Sequence, residues 1–360
     1  MMDGLETALR ELLDGGGPPA AVVRGLMSGL QTALSTLARD GSAPDPAVLT
    51  RAVDAIDRLA APEPPPFAAA APAVVAAPAG GLVGALTALW PEAAKRADQR
   101  DPGAPPNAPG PLWEALHLLS LRMAPADAAD LSARAARAAV AEGAEAVPAT
   151  VTILGPARET LLPGLRAGDR VLAPGLATDP QAPPPDGLAA GPGADGLLRL
   201  VSPVLYLLEA DPYLAHCLQV LQFTGLADLA ALGEKDRLRT QLLGRAAAVA
   251  AADPSTQEWL EHLVRAHEAV SSVVHSPPAH DDSWWGRLRT QGHTLVRDAA
   301  APFGPGLVKL PSATFVSARA LTEHDIPLKV PTRSGMVLAC VRLWSNIGGT
   351  ERPGRVIYAS

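Results

Sequence analysis

Met336-Val-Leu-Ala-Cys-Val-Arg-Leu-Trp344 is apolar at almost every position and lies between Gly335 and the pair Gly348-Gly349. A short apolar run with β-branched and aromatic members, closed off by glycine, reads as a buried strand. Two consecutive glycines supply the positive φ angles of a tight hairpin turn, so Arg355-Val-Ile-Tyr358 is expected to fold back near this strand. Working outward, Ala313–Ala318, Ile326–Val330 and Arg355–Ala359 are also bounded by Pro or Gly and read as strands. Residues 305–360 are therefore expected to form a C-terminal antiparallel β segment.

Ahead of this segment the apolar period becomes helical. Helices are expected over 197–209, 213–223, 226–233, 235–252, 255–275 and 283–301, giving a helical domain at 197–304. Asp253-Pro254 stops one helix, and Ser255 with Glu258 forms a capping box for the next. Residues 112–196 begin with a helical face of Leu112, Leu116 and Leu119, with Trp113 beside it. An alanine-rich helix from Ala124 to Glu142 follows, ended by Gly143. A strand over Val147–Leu154, a turn and strand within 161–173, and a Pro/Gly-rich break at 174–196 complete that segment. Residues 61–111 read as a Pro/Ala-rich linker with a short docking helix, because closely spaced prolines favour extended polyproline II. Residues 1–60 read as an N-terminal helical segment, in which Asp45 caps a helix with Pro46 at its first position. The expected fold is α+β and mostly helical: a central helical array, a C-terminal antiparallel β-sheet and an N-terminal helical arm.

Composition excludes some functions. Lys and Arg number 30 against 37 Asp and Glu, a net charge of −7, with no basic stripe of the kind that nucleic acid demands. Cys217 and Cys340 are the only cysteines and lie far apart, which points to a reducing, cytoplasmic setting. The N-terminus lacks the basic and apolar regions of a secretion signal. Residues 67–90 carry no charge and offer a membrane alternative, disfavoured because Pro72 and Pro78 break the first half and alanine is only weakly apolar.

The densest chemistry lies between residues 259 and 293, where Trp259, His262, His267, His275, His280, Trp284, Trp285 and His293 fall together. His262 and His267 are separated by about 140° around a helix and diverge. His275 and His280 flank Ser-Pro-Pro-Ala and converge only if that loop turns back. With His267 and Asp281 they form the candidate set for a divalent metal, since mixed imidazole and carboxylate ligands suit an octahedral site. The simpler reading is a polar loop in which residues 281–283 cap the next helix. Trp284 and Trp285 open that helix, and one of them is expected at an interface or pocket.

Two short stretches resemble known families. Gly164-Leu-Arg-Ala-Gly-Asp-Arg-Val-Leu172 resembles a hairpin of PDZ-type peptide-binding domains over that stretch alone. His280-Asp281, with His267 upstream, is similar to the paired metal ligands of HD-type phosphohydrolases, although here the pair follows Pro277-Pro278 instead of ending an apolar helix. No nucleophile elbow, phosphate-binding loop or dinucleotide fingerprint occurs. Glu323-His324-Asp325 reads as a polar turn, and His216-Cys217 as a pair whose side chains diverge. The leading expectation is a non-enzymatic structural or interaction subunit without a cofactor, which binds a protein partner or itself. The alternatives are a metal-dependent hydrolase using the 262–293 cluster and a membrane-associated protein using residues 67–90.

Overall fold

The computed structural model describes residues 81–98, 103–330 and 333–360. The expected N-terminal arm at 1–60, residues 61–80 and 99–102 of the expected linker, and with them residues 67–80 of the membrane alternative lie outside the described residues. The chain divides into two compact units, Met1–Ala77 and Pro78–Ser360, and all of the described residues belong to the second.

The part of the linker segment that is described is helical. Helices α1 (Gly81–Thr87) and α2 (Trp90–Arg96) precede α3 (Pro109–Ser120) and α4 (Pro125–Ala141). Proline stands in the first turn of α2, α3 and α4, where its missing N–H costs no helical bond. Leu86 and Trp90 share a core with Leu112, Trp113, Leu116 and Leu119, the α3 face expected from the sequence. Leu131, Ala135 and Ala139 form the matching stripe of α4, spaced one helical turn apart, and Gly143 at φ 75° ends the helix. Arg96 ties α2 to α4 by pairing with Asp127 and Asp130 as well as with Glu92.

Six strands of four residues follow: β1 (Ala144–Val147), β2 (Val151–Leu154), β3 (Glu159–Leu162), β4 (Gly164–Ala167), β5 (Arg170–Ala173) and β6 (Leu176–Asp179). They form two sheets, ordered β1-β4-β5 and β2-β6-β3. Pro148, Gly155, Pro163 and Pro174 interrupt the pattern every few residues. Each strand is therefore too short to show alternation, which is why a single hairpin was expected where two sheets exist.

The largest core is built by α5 (Asp195–Ala210), α6 (Glu234–Ala251), α7 (Gln257–Ser271) and α8 (Trp284–Ala300). The helices expected over 213–223 and 226–233 do not form. Instead β7 (Ala215–His216) pairs with β8 (Ala227–Asp228) and with β9 (Val273–Val274). Side chains take backbone groups out of helical bonding here: His216 Nδ1 accepts the Leu218 N–H, and Asp228 Oδ1 accepts the Ala230 N–H.

The C-terminal segment holds two sheets instead of one. Strand β12 (Val337–Arg342) ends at Leu343, and β13 (Trp344–Ile347) belongs to a different sheet. One sheet is ordered β10 (Val308–Lys309), β13, β14 (Thr350–Arg352). The other is β11 (Ile326–Leu328), β15 (Arg355–Ala359), β12, with β15 antiparallel to β12 as expected and β11 parallel to β15. Gly348 and Gly349, at φ 60° and 80°, make the two-residue turn from β13 into β14. Phe315–Ala318, expected as strand, is the short helix α9.

These differences overturn the expected mostly helical array with one C-terminal sheet. Among the described residues the fold is a roughly balanced α+β arrangement, 43% helix and 21% strand, with the strands in five small sheets. No described helix is long and apolar enough to cross a membrane.

Candidate functional site

Helix α7 carries the candidate residues. Thr256, not the expected Ser255, caps it, accepting the Trp259 N–H at 3.2 Å on Oγ1. Ser283 caps α8 by accepting the Gly286 N–H at 3.1 Å, as the sequence suggested. The connection between them places the expected metal residues in separate surroundings. His267 is buried, hydrogen-bonded through Nε2 to Ser271 Oγ at 3.1 Å, with the His293 ring 5.1 Å away. His275 is buried on another side of the helices, with Nε2 2.9 Å from Asp211 Oδ2 and its ring against the edge of Trp285. His280 is exposed, and its Nδ1 accepts the Asp282 N–H. Asp281 is also exposed. Among the described residues no group of three or more His, Cys, Asp or Glu is arranged to hold a metal ion.

Burial sets the protonation of this interior. It pushes His275 and His293 down to about 4 and His267 well below its usual value, so all three stay neutral at neutral pH. His117, buried in α3 with Nδ1 donating to Trp113 O, is lowered to about 4 for the same reason. Burial also raises the Cys217 and Cys340 thiols to about 12. Trp284 and Trp285 are both buried, in a T-shaped pair with centroids 5.1 Å apart. The residue singled out for an interface is thus part of the core on either choice.

A different cluster on α7 stands out. Glu268 is 1% exposed. Its Oε2 accepts from Arg352 Nη2 at 2.7 Å and Arg245 Nη1 at 3.1 Å, and its Oε1 accepts from Arg342 Nη1 at 3.3 Å. Arg342 also donates from Nε to Pro353 O and from Nη1 to Gln219 Oε1. One carboxylate thus joins α6, α7, β12 and β14. A buried carboxylate without such partners would cost several kcal/mol. Burial lowers the Arg245 and Arg352 pKa values, and the neighbouring arginines act in the same direction against Glu268.

The same helix face continues outward into a groove. Glu261, Val264, Arg265 and Glu268 recur at helical spacing along one side of α7. The β13–β14 hairpin lies opposite, where Ser345 pairs with Arg352 and Ile347 with Thr350 in register, so all four side chains share a face. The groove between them has a volume of about 50 Å³ and is lined by Glu261, Val264 and Arg265 on one side and by Ser345, Ile347, Thr350 and Arg352 on the other, with Glu268 buried behind it. A second, shallower cleft of about 390 Å³ is lined by Pro254, Trp259, Pro302 and Phe303 and has no charged side chain in its wall.

No family model, curated protein or solved structure matches the chain. The reading of the site therefore stands on its own side chains.

The surface carries one further feature, at the corner between α9 and β12. Thr314 bridges to Met336 and Phe315 stacks on Tyr358 at 3.6 Å, which brings Val316 and Met336 to the same corner, 77% and 41% exposed. Leu310 is exposed a few residues upstream, and its neighbour Lys309 lies over the Trp344 ring. Neither this corner nor the Glu268 cluster was picked out from the sequence. A signal did exist. Glu268 sits within the apolar stripe of α7, and Arg342 interrupts the apolar run of β12. Two opposite charges, each in an otherwise apolar setting, are best explained as partners.

Proposed function

We propose that this chain is a non-enzymatic protein-interaction subunit, an assembly component that associates with another copy of itself through the α9–β12 corner. The observation that carries this reading is the placement of the exposed Val316 and Met336 beside the half-buried Phe315–Tyr358 stack. Exposed apolar side chains such as these gain from burial against another surface, at about 25 cal/mol per Å² of apolar area removed from water. The interior position of His267 and His275 supports the same reading, because groups buried on structural partners do not meet a substrate. The buried free thiols of Cys217 and Cys340 support a reducing, cytoplasmic setting.

Native mass spectrometry of the full chain tests the proposal. The expected result is an assembly above the single-chain mass of 37.0 kDa. The double variant Val316→Asp, Met336→Glu should shift it to the single-chain mass with helical content unchanged. A wild-type chain that stays monomeric at micromolar concentration, or a variant with an unaltered assembly, would overturn it.

A further inference from the structure

The groove between α7 and the β13–β14 hairpin differs in chemistry from the apolar corner. Arg265, Arg352 and Glu261 line it, and behind Arg352 the buried Glu268 holds Arg245 and Arg342 as well, so that four guanidinium groups stand in and behind the groove against two carboxylates. Glu268 is spent on three of the four arginines. Glu261 holds Arg265 only at 3.5 Å, with both side chains largely in solvent. Glu351, the remaining acid of the hairpin, is turned to the other face, where it accepts the Trp344 Nε1–H at 2.8 Å. The groove thus retains a local excess of positive charge on a chain whose net charge is −7.

We propose that this groove binds a phosphate-class oxyanion. Arginine stays charged at every accessible pH, and its planar fork matches the oxygens of phosphate two at a time. Arg265 and Arg352, 52% and 31% exposed at their side chains, stand on opposite walls, one from the helix and one from the hairpin. Thr350 and Ser345 line the hairpin wall between them and bring hydroxyl groups that donate to an oxyanion. The space of about 50 Å³ would hold roughly three or four waters, or one tetrahedral anion in their place. Arg352 is anchored by Glu268 at its inner end, which fixes one wall before any ligand arrives and lowers the ordering cost of binding. The 390 Å³ cleft at Trp259 and Phe303 lacks such charge, and the buried histidine interior lacks access, so neither competes for this ligand.

The test is calorimetric titration of the full chain with inorganic phosphate, with sodium chloride balanced to constant ionic strength. Saturable binding of one phosphate per chain is expected. Arg265→Gln should weaken it about tenfold, the loss of one charge-assisted contact, and Thr350→Val by a smaller factor. Both variants leave the three arginines on Glu268 in place, so each should keep the wild-type melting temperature in the absence of phosphate. Acetate at the same ionic strength should bind at least tenfold more weakly than phosphate. Titration with phosphoserine distinguishes a phosphorylated chain from free phosphate as the source of the group: tighter binding favours the former, weaker binding the latter, and either supports the site. Absence of saturable phosphate binding, wild-type affinity in Arg265→Gln, or equal affinity for acetate would overturn the assignment. The assembly mass of Arg265→Gln should match the wild type, which separates this result from the fate of the α9–β12 corner.

Discussion

Lowering the pH from neutral should begin to destabilise this protein above the range in which its carboxylates titrate. His117, His275 and His293 each have a folded-state pKa of about 4 against 6.5 for the exposed group, with burial the main cause. A folded value below the unfolded one means that the unfolded chain binds more protons as pH falls through 6.5. Stability is therefore full above that pH, is lost between 6.5 and 4, and levels off for these groups below 4. Each histidine costs about 2 kcal/mol between pH 6.5 and roughly pH 4.5, and the three together about 6 kcal/mol. That is a large part of the 5–15 kcal/mol by which folded domains are stable, so the effect should dominate. His267, held lower still, acts in the same direction. Glu114, raised by burial, opposes it in part. Urea unfolding followed by tryptophan fluorescence is the assay, because all six tryptophans, from Trp90 to Trp344, lie in the Pro78–Ser360 unit. The midpoint should fall steadily from pH 7 to 4.5, and His117→Phe should remove about a quarter of that dependence, one of these four buried histidines. A midpoint that stays flat over this range, or a slope unchanged in His117→Phe, would refute the reasoning.

Glu268→Leu leaves three guanidinium groups around an apolar side chain and should cost about 3–5 kcal/mol, read as a shift in the urea midpoint at neutral pH. Gly292→Ala places a methyl group 2.9 Å from His267 Cδ2, where α8 crosses α7, and should cost about 1–3 kcal/mol by overpacking, measured by thermal unfolding. Cys217 and Cys340, buried and with thiols raised to about 12, should react with a thiol reagent at pH 8 only at the rate of unfolding, and rapid labelling of the native protein would contradict their placement.

Long elements with a regular apolar face were legible in the sequence. The helices α5, α6, α7 and α8 lie within a few residues of their expected spans, because each presents a stripe to the core over several turns. The segment from 213 to 233 misled, because its leucines and alanines mimic a helical period. The actual structure is set by side chain–backbone bonds from His216 and Asp228 and by pairing with Val273–Val274, far along the chain. The strands between residues 144 and 179 were hidden by brevity. Strand β12 was read correctly as buried, yet the break at Leu343 that sends Trp344 into another sheet depends on partners no local pattern reveals. The histidines were visible as a cluster in sequence but not in space. Their spacing is set by helix phase and by a loop: His267 meets His293, while His275 turns to Asp211 and Trp285 and His280 lies exposed.

The clamp on Glu268 also bears on how the chain is made. Arg342 and Arg352 lie 74 and 84 residues beyond it. At about 5–20 residues per second, ribosomal synthesis would leave α7 waiting roughly 4–17 seconds for the second of them. Until Arg342 is made Glu268 lacks two of its three counter-charges, and until Arg352 is made it lacks one, so burying it against α6 alone is unfavourable. Docking of α7 with Glu268 fully buried is therefore favourable only once the arginines of β12 and β14 have been added to the chain.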